Sequence, residues 1–305
     1  MGSSRCGLDS TVVAELGRTH HVKCRVPAHF ETVGIMKRPT RLRVVVLAYL
    51  SVIVALPVGY LIYRAFSKGF SSFMSQVTQP GAVHALVLSL EVAAIAVPLN
   101  TIVGVGAALL FARHRFWGHR VLDLCFDIPV AVSPVIIGVA LVLAYSKIGW
   151  WGSWLATQGI SVLFSVTGIV LATTAVSLPY VLRSTLPVLL ESGTDQEEAA
   201  RTLGSGPLRT FWYITLPVIR WGVLYGVVLT LARTLGEFGA VVVVSGNISG
   251  LTQTLPIYIY DSWDQNYNAQ ASFDNALILA AIAVVALVVL GILRSKERNH
   301  RGDLA

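Results

Sequence analysis

Long apolar runs alternate with short polar connections along most of this chain, and the runs come at the length of membrane spans. Val44–Tyr63 carries no charge and is bounded by Arg43 and Arg64. Ala85–Ala112 is interrupted by Glu91 and Pro98, and Ile128–Tyr145 has Pro129 and Pro134 near its start. Val162–Leu182 contains Pro179, Trp221–Val244 carries Arg233 and Glu237, and Ala276–Leu293 is uncharged. A spanning helix needs about 20 apolar residues, and backbone groups in hydrocarbon must be satisfied within each helix. The pattern therefore predicts an all-α membrane protein, a bundle of six spanning helices in one domain over residues 37–305. Residues 1–36 are polar and mixed and lack the apolar core of a signal peptide. They predict a disordered leader, and translation has two candidate starts, Met1 and Met36.

One connection differs from the rest. Glu191 to Pro217, ESGTDQEEAARTLGSGPLRTFWYITLP, is the one long, charged, helix-patterned segment between the oily runs. Thr194-Asp195-Gln196-Glu197 has the form of a capping box, in which the Thr hydroxyl bonds the Glu197 amide and the Glu carboxylate reaches back. A short helix would run through Glu198, Ala199, Ala200 and Leu203. Gly204 would end it in the left-handed conformation, and Pro207 would open a second helix. The two alanines would give the first helix a small, smooth face.

Composition agrees with the membrane reading. The chain is 54% hydrophobic and 13% charged, about half the charge of a soluble domain, with a mean hydropathy of +0.68. Cys6, Cys24 and Cys125 show neither metal nor disulfide spacing, and His20 and His21 with Cys24 make only a weak metal pattern. The net charge of +7 is a matter of topology, not of nucleic acid. One set of connections holds Lys37, Arg38, Arg41 and Arg43, then Arg113, Arg115 and Arg120, then Arg183, Arg201, Arg209 and Arg220, then Arg294, Lys296, Arg298 and Arg301. The opposite set holds only Arg64, Lys68 and Lys147. By the positive-inside rule the first set is cytoplasmic, which places both termini and the 191–217 connection inside the cell.

Glu198-Ala199-Ala200, three residues, Gly204, nine residues, then Ile214-Thr215-Leu216-Pro217 resembles the EAA loop of ABC importer permeases. In that family the loop is a cytoplasmic coupling helix that docks into a groove on an ATPase subunit. The resemblance implies ATPase-coupling roles for Glu198, Ala199, Ala200, Gly204, Ile214, Leu216 and Pro217, and a bundle of the type I importer kind. Three further stretches are similar to the W-type permeases of sulfate/thiosulfate importers: Asp127 to Val135 (DIPVAVSPV), Ala232 to Ala240 (ARTLGEFGA) with Val244-Ser245-Gly246, and Gln265 to Asn268. The likeness runs from about residue 40 to 294. It implies a multi-pass subunit of the cytoplasmic (inner) membrane, paired with a T-type permease, two copies of the ABC ATPase, and a periplasmic or lipid-anchored sulfate-binding protein. ATP and Mg would belong to the partner ATPase, with no cofactor in this chain. A molybdate/tungstate importer permease is the alternative, because that group shares the EAA loop and a similar Arg-x-x-Gly-Glu-Phe-Gly stretch. The Asp127–Val135 segment favours sulfate.

The residues themselves exclude several chemistries. The chain has no G-x-x-x-x-G-K-[ST] phosphate loop and no H-E-x-x-H zinc pattern, and Gly204-Ser205-Gly206 is not a nucleophile elbow. No catalytic or metal-ligating residue is predicted. A dianion such as sulfate is costly to strip of water and needs hydroxyls, amides, helix N-termini or a shielded cation along its path. Asn100, Ser133, Arg233 and Glu237 are the candidate path or gate residues, with Thr173, Thr174 and Ser177 as further polar groups in the runs. Ser and Thr also hydrogen-bond between helices in membranes, and Arg233 with Glu237, one turn apart, can gate or simply brace the bundle. Asp123 and Asp127 share a helix face and are expected to pair with Arg120 or Arg115. Glu91 is the one acid placed for ion coupling.

Overall fold

The computed structural model describes residues 40–302 apart from Arg115 and Ile160. The leader, both candidate starts, Lys37, Arg38 and Arg115 lie outside the described residues. The chain divides into two units at Ala55/Leu56. The described part of the first is the beginning of α1 (Thr40–Phe66), where every side chain from Val44 to Ala55 is exposed.

The described part of the second unit continues α1 and adds thirteen helices. They are α2 (Phe70–Val77), α3 (Pro80–Arg113), α4 (His119–Ala131), α5 (Pro134–Tyr145), α6 (Gly152–Thr157), α7 (Val166–Ser177) and α8 (Pro179–Ser192). The loop helix α9 (Asp195–Thr202) follows. Then come α10 (Pro207–Thr210), a π-helical turn over Phe211–Thr215, α11 (Leu216–Leu235), α12 (Gly239–Ser245), α13 (Leu255–Asp264) and α14 (Ala269–Gly302). Among the described residues five stretches are long and apolar enough to cross a membrane: Val44–Phe66, Pro80–Arg113, Val166–Ser192, Pro207–Leu235 and Ala269–Ile292.

The third apolar run is not a straight span. α4 and α5 meet at 113°, and only the bent pair counts as a sixth span. The cause is local: Pro134 disfavours the helical region for the residue before it, and Ser133 sits at φ −58°, ψ 135°. The fourth run is longer than its hydropathy indicates. Leu178 keeps helical angles, φ −53° and ψ −43°, so α7 and α8 join and the loop begins only at Gly193. The fifth run is displaced: its span starts upstream at Pro207 and stops at Leu235, and α12 is a separate helix.

The core lies where α3, α8 and α11 converge. Val105, Ala108 and Phe111 pack against Val181, Leu182, Leu189 and Ile219. Small residues permit the approach: a Cβ on Gly104 would lie 2.7 Å from Val181 Cβ, and one on Gly226 2.8 Å from Val181 Cα. A second cluster joins Leu88 and Val92 of α3 to Ile169, Val241 and Ile257. A third holds α12 on α7 through Ala172, Val176, Ala240 and Val244.

The acids on α4 find a different cation from the one expected. Arg183 of α8, not Arg120, takes both: its Nη2 lies 2.7 Å from Asp123 Oδ1 and 2.6 Å from Asp127 Oδ2. Arg183 is 56 positions from Asp127, so only the folding of α4 across α8 reveals the pair.

Candidate functional site

The 193–217 connection folds as a helix, a glycine turn and a second helix that runs on into α11. α9 is eight residues long, with Asp195, Glu197 and Glu198 in its first turn and Arg201 in its last, charges that suit the helix dipole. Its end is a Schellman turn. Gly204 sits at φ +82°, its N–H donates to Arg201 O at 3.0 Å, and Ser205 N–H donates to Ala200 O at 3.0 Å. Pro207 takes the first position of α10, as the sequence predicts.

The predicted capping box does not form. Thr194 makes no side-chain bond to the helix backbone, and its hydroxyl donates instead to Glu198 Oε1 at 2.7 Å. Glu197 is withdrawn because it has stronger partners inside. Arg113 Nε lies 3.1 Å from Oε2 and Nη2 3.1 Å from Oε1, and the Thr215 hydroxyl donates to Oε1 at 2.8 Å. A two-pronged guanidinium–carboxylate contact outweighs a neutral amide cap.

The adjacent glutamates thus face opposite ways. Glu197 and Ala200 are buried, while Glu198, Ala199, Arg201, Thr202 and Gly204 are exposed. The smooth face predicted from two alanines is in fact one alanine outward and one inward. The exposed surface continues through Leu203 before the glycine and Leu208, Trp212 and Tyr213 after it. Gly206, Pro207, Leu208, Arg209, Trp212 and Tyr213 line an open groove of about 740 Å³. Of the remaining motif residues, Ile214 and Leu216 are half-buried, Leu216 against the α3/α8/α11 core, and Pro217 is exposed.

The four path or gate candidates are not brought together at one place. Asn100 is fully buried, and its Nδ2 donates to Ser177 Oγ at 2.9 Å across α3 and α7. Its Oδ1 is buried without a partner among the described residues. Ser133 is exposed at the break between α4 and α5. Arg233 lies in the last turn of α11, and Glu237 follows the helix end. Glu237 Oε1 accepts from Ala240 N–H at 2.9 Å, capping α12. Thr173 bonds back to Ile169 O within its own helix. Glu91 is on the exposed face of α3.

Sequence reasoning missed Arg113, which looked like one of a cytoplasmic basic cluster, and Glu197, whose neighbour carried the motif. Their separation of 84 positions leaves no local signal; a second acid directly before the motif glutamate was the one available hint. Among the described residues no group of three or more His, Cys, Asp or Glu could hold a metal.

The family model of the binding-protein-dependent transport system inner membrane component matches residues 100–296. The sulfate transport system permease protein CysW of Synechocystis sp. is 47% identical over 255 residues, 84% of this chain and 92% of that one. CysW of Escherichia coli K12 is 41% identical over 248 residues, 81% of this chain and 85% of that protein. The molybdenum transport system permease protein ModB of Mycobacterium tuberculosis is 39% identical over 241 residues, 79% and 89% of the two chains. Among solved structures, a chain of a bacterial alginate ABC transporter superposes with a TM-score of 0.68 at 17% identity. That match covers 85% of this chain and 93% of the other, a likeness of fold.

Proposed function

This chain belongs to the family of binding-protein-dependent transport system inner membrane components, and from that premise we propose that it is the permease subunit of an ATP-driven sulfate importer. The observation that carries the oxyanion is the 47% and 41% identity with sulfate transport permeases over more than four-fifths of the chain. The 39% identity with a molybdenum permease supports the same transport class and keeps molybdate as the second reading. Thiosulfate is proposed as a further substrate on the strength of the same resemblance.

In this reading the chain lies in the cytoplasmic membrane with both termini and α9 inside. The Lys/Arg asymmetry of its connections supports that orientation. It pairs with a T-type permease and receives substrate from a sulfate-binding protein. Two ATPase subunits, which hold ATP and Mg, dock against the exposed side of the loop. Glu198 is exposed at the N-terminal turn of α9, with the Thr194 hydroxyl on its Oε1, and is placed to meet a cation of the ATPase; Leu203, Leu208 and Trp212 offer apolar area beside it. Transport proceeds by alternating access, with the break in α4/α5 and the Arg233–Glu237 pair as the irregular, polar features nearest a path.

Uptake of radiolabelled sulfate into proteoliposomes containing the whole complex tests this. Uptake should require ATP and the ATPase subunits and should be competed by thiosulfate more strongly than by molybdate. Uptake that persists without the ATPase sinks the coupled mechanism. A deletion strain that grows on sulfate but fails to accumulate molybdate moves the substrate to the second reading.

A further inference from the structure

Four segments meet at the Arg113–Glu197 pair. α9 supplies the acid, the last residue of α3 supplies Arg113, and the π-helical turn before α11 supplies Thr215. Arg113 Nη1 also donates to Leu189 O of α8 at 3.2 Å. Side-chain exposure is 12% for Arg113 and 11% for Glu197. Both carboxylate oxygens and three guanidinium donors are used. A well-packed apolar cluster of similar volume is generally as stable as a buried ion pair, or more so, so stability alone is a poor reason for this arrangement. Its directional bonds hold geometry instead.

A glycine bounds α9 on each side. Gly193 precedes it at φ +67° and Gly204 follows at φ +82°, and no atom lies within 4 Å of a Cβ at either. Neither glycine carries a side chain that could brace the eight-residue helix against its neighbours. Lateral contacts must carry any displacement, and these are the buried face of Ala200 and the Glu197 cluster. We propose that Arg113, Glu197 and Thr215 are positioning residues that lock α9 to the cytoplasmic ends of α3, α8 and α11, so that motion imposed on α9 by the ATPase reaches the spanning helices. Glu198 faces the ATPase and Glu197 faces the permease; the two adjacent acids divide docking from transmission. This rests on the reading of the chain as an ATP-coupled permease.

The test compares Arg113→Gln, Glu197→Gln and Thr215→Val in the complete purified complex in proteoliposomes. It measures ATPase recovered per permease and ATP hydrolysed per sulfate imported. Recovery should stay at the wild-type ratio while ATP hydrolysed per sulfate rises roughly 2- to 30-fold, the span by which such networks change coupling. Thr215→Val, which leaves the ion pair in place, should show the smallest rise, and Glu198→Ala should instead lower recovery. A smaller yield of complex whose ATP-to-sulfate ratio is unchanged in all three variants overturns the proposal and leaves a brace for folding. Should the wild-type complex itself import sulfate without ATP, the underlying reading fails, and that outcome is separate from the variants.

Discussion

Arg233 Nη1 lies 2.5 Å from Glu237 Oε2, and the pair spans the end of a helix, not one of its turns. Arg233 lies in the last turn of α11, Gly236 follows its end at Leu235, and Glu237 caps α12 through Ala240 N–H. One carboxylate thereby neutralises a cation and starts a helix. Its side chain is 2% exposed, against 28% for Arg233.

Substitutions at Glu237 separate a gate from a brace. Glu237→Ala removes the cap and the counter-charge together and should destabilise the purified complex by roughly 1.5–3 kcal/mol, the range for bonds to charged groups. Glu237→Gln keeps an acceptor for Ala240 and should lose less. Thermal unfolding in detergent reads both. A gate predicts that Glu237→Gln complexes assemble normally yet transport differently; unchanged transport per assembled complex makes the pair a brace.

Orientation is open to chemical labelling. With Cys6, Cys24 and Cys125 replaced by serine, cysteines at Gly118 and Ser205 should react only from the cytoplasm, and one at Gly152 only from outside. Labelling at Ser205 by an impermeant reagent in intact cells would reverse the topology and remove α9 from the reach of an ATPase.

Gly204 has open space where a Cβ would sit, so substitution there acts through the backbone alone. The left-handed region costs a side-chain-bearing residue about 1–2 kcal/mol, and a β-branched residue suffers most. Gly204→Val should reduce ATPase recovered per permease, while Gly204→Asn, which tolerates that conformation, should retain most of it. An unchanged ratio in Gly204→Val together with unchanged sulfate uptake would remove this loop from the coupling mechanism.

Gly104 and Gly226 flank Val181 from two sides. A methyl at Gly104 would sit 2.7 Å from Val181 Cβ and 3.1 Å from Leu182 N, and nothing there yields without moving α8. Gly104→Ala and Gly226→Ala should each cost about 1–3 kcal/mol by overpacking, and the double variant should be non-additive because both press on one residue. Gly106→Ala, two residues on and facing the opposite side of α3 with no atom within 4 Å, should be neutral or stabilising by about 0.5–1 kcal/mol. Melting temperatures of the purified complex rank the four proteins.

By itself the sequence determined the class of molecule. Apolar runs of bilayer length admit only helices in hydrocarbon, and the spacing from Glu198 through Gly204 to Pro217 specified helix, left-handed glycine and second helix by local rules alone. Those features depend on neighbours a few residues apart, so they are legible along the chain. Tertiary structure decided which polar groups meet. Arg183 takes Asp123 and Asp127, Asn100 takes Ser177, and Arg113 draws Glu197 out of its expected capping box, each across more than fifty positions. The breaks at Ser133 and Gly236 are intermediate: proline and glycine mark them, but hydropathy runs straight through. A charged or polar group selects its partner by desolvation and geometry, and both are fixed only when the helices that carry the partners have packed together.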